Sequence, residues 1–489
     1  MKNENARAAS TEFRGNDRLL FGMILGVVTF WLFAQSTLDI APDMQRDLGV
    51  ADGTMNGAVA MAALFSGILI VVMGGLADRF GRMRVLRLGF ALNIVGSLMV
   101  GLAPAGALGA AMLLVGRAVQ GMSAACIMPS SLALVKAYWD GAARQRAVSM
   151  WSIGSWGGAG LGSLFGGYMA QTLGWRWIFF SSVAVTLLGL WLIRGTPESK
   201  AGSGGTYRFD VAGVLAFTVM MLGLQVVVTQ GSSLGWSSAL VIGLAVATIV
   251  AAIAFFRVES GNDQAFVDFR LFRNRTYNGA TISNFLINAT VGMQLVSLQL
   301  VQRGGGMSAQ QAGILTLGYA IAIIAFIRVG EKLLQRFGPR KPMVWGCLIT
   351  AVAIGCLMPT QMMLENYRTA ALVGYTLFGL GLAFYATPST DAALSSLPMN
   401  QSGAGSGIYK MASSLGAALG VAVSGAIFTA LGASPTGIRW LEGVITFEGR
   451  QDNLAIREAA MVALGFNVLM VGVAIASIVL TIPPGKREA

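Results

Sequence analysis

Residues 74–84 of the chain read GGLADRFGRMR. The segment begins with two glycines and continues with one acid, Asp78, and three arginines, and a long apolar run flanks it on either side. Because charged side chains are costly inside a lipid bilayer, we expect this segment to form a tight cytoplasmic turn between two membrane-spanning helices.

The composition is that of a membrane protein with many spans. Of 489 residues, 55% are hydrophobic and only 11% are charged, which lies far from the composition of soluble domains. A helix needs about 20 apolar residues to cross a bilayer, and fourteen such windows are present. The predicted spans cover residues 19–41, 54–74, 84–104, 107–136, 147–170, 175–194, 210–230, 238–256, 278–301, 309–330, 342–360, 369–391, 404–431 and 460–482. We therefore predict an all-α polytopic protein embedded in the lipid bilayer.

Lysine and arginine are concentrated in alternate connections between the predicted spans. The positive-inside rule places these connections in the cytoplasm, together with the terminal tails 1–18 and 483–489. The net charge of +12 would also suit nucleic-acid binding, but orientation in the membrane explains it, and no nucleic-acid partner is predicted. Histidine is absent and the three cysteines show no metal-ligand spacing. We predict no catalytic residue and no metal site. Because the chain has no histidine, carboxylates must carry any transported proton.

Three features of the first half recur in the second half at a spacing of 257 to 259 residues. The pairs are Arg79-Phe80-Gly81 with Arg336-Phe337-Gly338, Gly158 and Gly162 with Gly416 and Gly420, and Pro129 with Pro388. This repeat predicts two related six-helix bundles, residues 19–200 and 278–482, with two inserted helices in residues 201–277. Parallel bundles with a substrate site between them are typical of one class of secondary transporters.

Three motifs resemble those of the major facilitator superfamily. Residues 74–84 are similar to the loop signature of that family, and Arg117, Gln120 and Gly121 to its helix 4 motif R-x-x-Q-G. Helix 5 is similar to its antiporter motif, although Ser163 replaces the proline of that motif. The antiporter glycines are Gly158, Gly162, Gly166 and Gly167.

With fourteen predicted spans, the chain resembles in particular the drug:proton antiporters of that superfamily. The resemblance implies proton-driven export of amphipathic, often cationic compounds such as quinolones, dyes and quaternary ammonium biocides, by alternating access. It also implies a bacterial inner-membrane protein whose partners are small-molecule drugs and protons, without a further cofactor; we expect a monomer. Because fold does not fix function, two alternatives stay open: a proton-coupled transporter of one specific metabolite, and a membrane sensor or scaffold without transport.

Two charged residues inside the predicted spans are candidates for proton coupling. Arg117 lies about ten residues into helix 4, at a depth where a function or a buried partner is the default expectation. The resemblance favours proton coupling, and the alternative is that Arg117 ties helix 4 to backbone carbonyls of a neighbour. Asp39 is the only acid within helix 1. It either exchanges protons for a cationic drug or is a solvated acid at the helix end. Family members with fourteen helices usually carry the helix 1 acid at the position of Phe33.

The resemblance assigns Asp78, Arg79 and Arg82 to contacts that lock the two bundles together on the cytoplasmic side. The second copy of this segment is not equivalent, since Gln335 stands where the first copy has Asp78. We therefore expect an asymmetric gate centred on Asp78.

Two further pairs of opposite charges are predicted near the cytoplasmic ends of the helices. Arg328 and Glu331 are three residues apart, which favours a permanent staple on one helix over a gate. Asp391 and Lys410 are predicted to pair between helices 12 and 13, where the pair serves either as a gate, the reading we favour, or as a permanent staple.

Drug pockets are largely apolar and aromatic, with a few placed polar groups. Asn284 and Asn288 are expected either to line the cavity or to bond between helices, because amides facing lipid are costly. The candidates for the cavity are Trp31, Phe33, Gln35, Gln120, Trp151, Trp156, Asn284, Asn288, Tyr319, Tyr385 and Tyr409.

Overall fold

A computed structural model describes residues 13–200, 210–235, 237–260, 269–432, 446–448 and 453–484. These residues form seventeen α-helical segments and no strand. The helices are α1 Asp17–Leu48, α2 Asp52–Phe80, α3 Arg82–Gly101, α4 Ala107–Tyr138, α5 Gly141–Ser152, α6 Gly158–Thr172, α7 Arg176–Ile193, α8 Val211–Leu234, α9 Ala239–Ser260, α10 Arg275–Ala289, α11 Gly292–Gln299, α12 Ala309–Ile314, α13 Leu317–Phe337, α14 Arg340–Leu357, α15 Leu364–Ser396, α16 Ser402–Gly432 and α17 Leu454–Thr481. A π-helical turn, Ile153–Gly157, joins α5 to α6, and a second, Leu300–Gly304, follows α11.

Within the described residues, eleven helices are long and apolar enough to cross a membrane. The prediction of an all-α multi-pass membrane protein is therefore confirmed. Several helices are longer than the predicted spans: α1, for example, runs over Asp17–Leu48 where the apolar window covers residues 19–41. Hydropathy marks only the part of a helix that lies in hydrocarbon, and helices continue beyond it.

The turn predicted over residues 74–84 is much shorter in the structure. Helix α2 continues through Asp78 to Phe80, and α3 begins at Arg82. Only Gly81 lies between them, with a φ of 118° that favours glycine. The repeat places Gly338, with a φ of 71°, at the same point between α13 and α14. The turn is tight, as predicted, but it is confined to Gly81, and Asp78 and Arg82 on either side of it are helical and form a buried pair.

The helices pack in two groups with matching arrangements. In the first group, α1 packs on α6 and α7, and both α2 and α3 pack on α4. In the second group, α10 packs on α16 and α17, and both α13 and α14 pack on α15. Helices α8 and α9 pack on each other, and α8 contacts α2 of the first group and α16 of the second. The two groups meet mainly where α2 and α4 contact α16, and where α5 contacts α13 and α15.

The glycines of the repeat occupy equivalent helix contacts in the two groups. In the first, the Ser36 hydroxyl on α1 donates to the carbonyl of Gly162 on α6 at 2.7 Å. In the second, a Cβ on Gly420 of α16 would overlap the carbonyl oxygen of Ala289 on α10. Small residues thus let the backbones meet at the same place in each half.

Candidate gate and transport site

Asp78 connects the two groups of helices at the end of the molecule where residues 74–84 lie, here called the basic end. Its Oδ1 accepts hydrogen bonds from Arg82 Nε at 3.0 Å and Nη2 at 2.8 Å. Its Oδ2 accepts from the backbone N–H groups of Gly403 at 2.7 Å and Ala404 at 3.1 Å. These N–H groups lie in the first turn of α16, where no intrahelical acceptor exists. The carboxylate therefore caps a helix of the opposite group.

Arg82 also contacts the opposite group of helices, close to the start of α16. Its Nη2 donates to the carbonyl of Met399, just before α16, at 2.6 Å, and both Asp78 and Arg82 are buried. Close backbone contact makes this possible, since a Cβ on Gly74 of α2 would overlap the Gly403 carbonyl. The structure thus places Asp78 and Arg82 in contact with the opposite group of helices, and their role in locking the two groups stays a prediction. Arg79, the third predicted member, is half-buried in the last turn of α2.

Lys136 supplies a second contact between the groups that the sequence did not reveal. Its ammonium at the end of α4 is buried and donates to the carbonyls of Leu394 and Leu397 at the C-terminal end of α15. Both carbonyls lie at the C-terminal end of α15, and a cation suits the negative end of the helix dipole. An anion thus caps the start of α16, and a cation caps the end of α15.

The predicted ion pair between Asp391 and Lys410 is wrong. Asp391 Oδ1 accepts from Arg144 Nε of α5 at 2.9 Å, and its Oδ2 from Gln145 at 3.4 Å. The ammonium of Lys410 instead lies over the ring of Trp151, 4.4 Å from its centroid. The sequence shows that Asp391 and Lys410 share a membrane depth but not which helix faces each of them. In the structure, Asp391 still bridges the two groups, with Arg144 as its partner.

Arg328 and Glu331 form the predicted ion pair, and Gln335 donates to Glu331 at 3.3 Å. All three residues belong to α13. The contact therefore lies along a single helix, as the predicted staple requires.

Arg117 is fully buried in the first group of helices. Its Nε donates to the carbonyl of Ala58 on α2 at 3.2 Å, and its Nη1 to Gln120 Oε1 at 2.8 Å. Gln120 in turn donates to Ser97 on α3 at 3.0 Å. These contacts are those of the structural alternative, in which Arg117 ties helix 4 to a neighbouring backbone. Asp39, the other candidate for proton coupling, and Gln35 lie outside the residues whose side chains the structure describes.

Several cavity candidates make bonds between helices in the second group. The Tyr385 hydroxyl lies 2.8 Å from Ser283 of α10. Asn284 donates to the carbonyl of Tyr409 at 2.9 Å. Asn288 donates to the side chain of Asn284 at 3.0 Å. The bond of Asn284 therefore connects α10 to α16, as one of the two alternatives requires, whereas the bond of Asn288 lies within α10.

The remaining aromatic candidates divide by burial. Phe33 is buried and packs edge-on against Phe165, so it belongs to an apolar core and not to a cavity. Tyr319 of α13 is buried and packs against Phe378. Trp31 and Trp156 are half-buried. Among the described groups, Trp31 Nε1 is a buried donor without a partner. Trp31 is thus the candidate best placed to receive a polar ligand group.

The antiporter glycines do not share one role. A Cβ on Gly158 would lie 3.2 Å from Trp31 Cβ, and one on Gly166 would lie 2.8 Å from Ser36 Cβ. Both glycines, like Gly162, therefore face α1 within their own group. A Cβ on Gly167 would meet no atom of the described residues within 4 Å. The contact with the opposite group is made by Gly160, whose Cβ would lie 3.0 Å from Ala320 of α13.

The fold and the contacts at the basic end define a membrane transporter, and sequence comparison identifies its class. The chain belongs to the Major Facilitator Superfamily, whose profile matches residues 19–261 and 280–487. It is therefore a multi-pass transporter and not an enzyme.

Among individual proteins, the chain is similar to the quinolone resistance protein NorB of Staphylococcus aureus. It is 46% identical to NorB of strain MRSA252 over 417 residues, which cover 85% of this chain and 89% of the relative. NorB of strain MSSA476 is 47% identical over the same extent.

Solved structures agree on the fold. The proton:xylose symporter XylE superposes with a TM-score of 0.63 at 16% identity, covering 96% of each chain. The human organic anion transporter MFSD10 superposes with a TM-score of 0.62 at 13% identity, covering 93% of this chain and 99% of MFSD10. At such identities the likeness concerns the fold alone.

The contact between Arg144 and Asp391 makes a prediction about paired substitutions. We expect Arg144→Ala and Asp391→Ala each to slow ethidium transport by about 10-fold, because either change leaves a buried charge unpaired. The double variant should transport no more slowly than the worse single variant, since both changes remove one interaction. Transport is measured as loss of ethidium fluorescence from loaded cells.

Arg146→Ala is the matched control, because Arg146 of the same helix pairs with Asp17 at an exposed site. It should change the rate less than twofold. If the slowing in the double variant equals the product of the two single effects, Arg144 and Asp391 act independently, and the pairing is contradicted.

Proposed function

We propose that the protein is a multidrug exporter that exchanges amphipathic, often cationic compounds for protons. Quinolones, dyes and quaternary ammonium biocides are the expected substrates. The observation that carries this proposal is the 46% identity to the quinolone resistance protein NorB, which extends over 85% of the chain. The contacts at the basic end support alternating access, because they join the two helix groups through a few polar interactions that can open and close.

The proposal includes the arrangement in the membrane. The eleven apolar helices become fourteen spans when α1, the rod formed by α5 and α6, and α8 are added. We place both termini and the basic end in the cytoplasm of a bacterial cell, with the protein in the inner membrane as a monomer. Residues 19–200 and 278–482 form the two bundles, and residues 201–277 hold the inserted helices. In this orientation the structure is closed toward the cytoplasm.

Dye efflux tests the function directly. Cells that express the protein should lose ethidium and norfloxacin faster than cells without it, and a protonophore should abolish the difference. Asp39→Asn should lose the dependence of efflux on external pH, because an amide cannot carry a proton. Expression level and dye binding should persist in this variant.

Different outcomes separate the possible failures. Undiminished pH-dependent efflux by Asp39→Asn would remove Asp39 from the mechanism and leave the function standing. Unchanged accumulation of every tested dye would contradict multidrug export. It would favour the transport of a single metabolite.

A further inference from the structure

Lys410 differs from the other buried cations of the protein. Five lysine or arginine side chains are buried within the described residues: Arg82, Arg117, Lys136, Lys410 and Arg457. Four of them donate hydrogen bonds to carbonyl or carboxylate oxygens. The ammonium of Lys410 has no such acceptor within the part of the chain that the structure describes.

Two aromatic rings surround the ammonium of Lys410. Its Nζ lies 4.4 Å from the centroid of Trp151 and 5.9 Å from that of Tyr409. Trp151 is itself fixed, because its Nε1 donates to the Ser131 hydroxyl at 2.9 Å. The acid predicted for Lys410, Asp391, is occupied by Arg144. Among the described residues, the ammonium therefore has aromatic faces for neighbours and no counter-charge.

Hydroxyl groups without partners lie in the same two helices of the first group. Ser149 and Ser152 lie on either side of Trp151 on α5, and Ser130 precedes Ser131 on α4. The side-chain oxygens of all three are buried, and none has a partner among the described residues. Buried polar groups are normally satisfied. The helices that carry Trp151 and Ser131 therefore hold buried hydroxyl groups whose hydrogen-bonding capacity is unused among the described residues.

The energetics favour an anion at this position. Burying an unpaired ammonium costs much more than one aromatic face returns. A carboxylate would supply the missing counter-charge, whereas a cationic group would be repelled. Lys410 belongs to α16 and Trp151 to α5, in opposite groups of helices. The movement that separates the groups during transport would therefore open this place to a substrate.

We propose that Lys410 and Trp151 form a subsite for substrates that carry a carboxylate on an aromatic ring system. The ammonium binds the carboxylate, and the indole packs against the ring. This proposal rests on the proposed export function and refines its substrate class, from cations in general to one that includes zwitterionic and anionic aromatic compounds. Quinolones have this chemistry, since their fused aromatic ring carries a carboxyl group.

Binding to the purified full-length protein in lipid nanodiscs tests the subsite, with three probes measured by calorimetry. Norfloxacin carries the carboxylate, its ethyl ester lacks the charge, and ethidium is a cation. Lys410→Met should raise the Kd of norfloxacin by 10-fold or more, the effect of losing a charge-assisted hydrogen bond. The Kd values of the ester and of ethidium should stay within twofold. Lys410→Arg, which keeps the charge, should restore norfloxacin binding to within about threefold.

Lys332→Met is the matched control, because it removes a lysine from an exposed position of α13. It should leave all three affinities unchanged. An unchanged norfloxacin Kd in Lys410→Met would overturn the subsite while ethidium binding upholds the export function. An equal loss of all three probes would also overturn it, since it would indicate a structural role. Failure of the wild type to bind any probe would overturn both proposals.

Discussion

Asp78→Asn is expected to abolish export while preserving the size and shape of the side chain. Asp78 offers only acceptors, and all four of its hydrogen bonds come from donors: two from Arg82 and two from the backbone of α16. An asparagine must point its NH₂ group toward one of these sets. Either orientation places donors against donors at a buried site and leaves Arg82 without its counter-charge.

The expected cost is about 3–5 kcal/mol, the usual effect of breaking a buried charged pair. The two hydrogen bonds to the backbone of α16 form only when the basic end is closed, so their loss disfavours that state, whereas the Asp78–Arg82 pair lies within one group of helices. A cost of about 3 kcal/mol on the closed state changes the ratio of closed to open protein by about 100-fold. A cysteine introduced at the basic end should therefore react faster with a water-soluble maleimide, and dye efflux should fall to background.

Arg84→Ala is the control for this effect. Arg84 belongs to the same sequence motif, but its side chain is exposed and its carboxylate partner, Glu198, lies 3.9 Å away. Exposed pairs contribute little, so this variant should transport at close to the normal rate. Normal efflux by Asp78→Asn, or equal losses in the two variants, would contradict the role of Asp78 in closing the basic end.

The parts of the gate that the sequence predicted are those encoded locally. Asp78 and Arg82 lie four residues apart on either side of the one-residue turn at Gly81, so short-range geometry brings them together. Arg328 and Glu331 lie one turn apart on α13. The sequence could not predict which helix of the other half Asp78 caps. The residues of its first turn, Gly403 and Ala404, carry no sequence signal that their N–H groups bind a carboxylate.

Contacts between helices that are far apart in the sequence could not be predicted, for a related reason. Hydropathy gives the membrane depth of Asp391 but not the rotation of each helix about its axis. Choosing Lys410 as its partner required that rotation, and Arg144 of α5 proved to be the residue that faces Asp391. The role of Lys136 was missed because a lysine at the end of an apolar helix is also what the positive-inside rule predicts. Only the structure shows its bonds to the end of α15.

The sequence repeat predicted helix contacts more successfully. Glycines spaced four residues apart lie on one face of a helix and allow a neighbouring backbone to approach that face. Gly416 and Gly420 recur on one face of α16, and each faces a carbonyl of α10, those of Phe285 and Ala289. The antiporter glycines of α6 use the same device against α1. Gly167 lies outside this four-residue period, and a Cβ there would meet no atom of the described residues within 4 Å. The pattern therefore predicted the contact wherever the four-residue period held.

Gly420→Ala is expected to destabilise the protein severely. The added Cβ would overlap the carbonyl oxygen of Ala289 and lie 2.5 Å from its Cα and carbonyl carbon. These are backbone atoms of a packed helix, so α10 and α16 would have to separate along their length. Alanine is a better helix former than glycine by about 1 kcal/mol. That gain does not offset the overpacking, which costs about 3 kcal/mol or more at so rigid a contact.

The measurement is the melting temperature and the yield of monodisperse protein after purification in detergent. Gly167→Ala is the matched control: it makes the same chemical change in the corresponding glycine-rich helix, where no atom of the described residues lies within 4 Å of the added Cβ. With no overlap to oppose the helix preference of alanine, this variant should melt at or slightly above the wild-type temperature. Equal melting temperatures for the two variants would contradict direct backbone contact between α10 and α16. A loss confined to Gly420→Ala would show that this contact limits the stability of the second half.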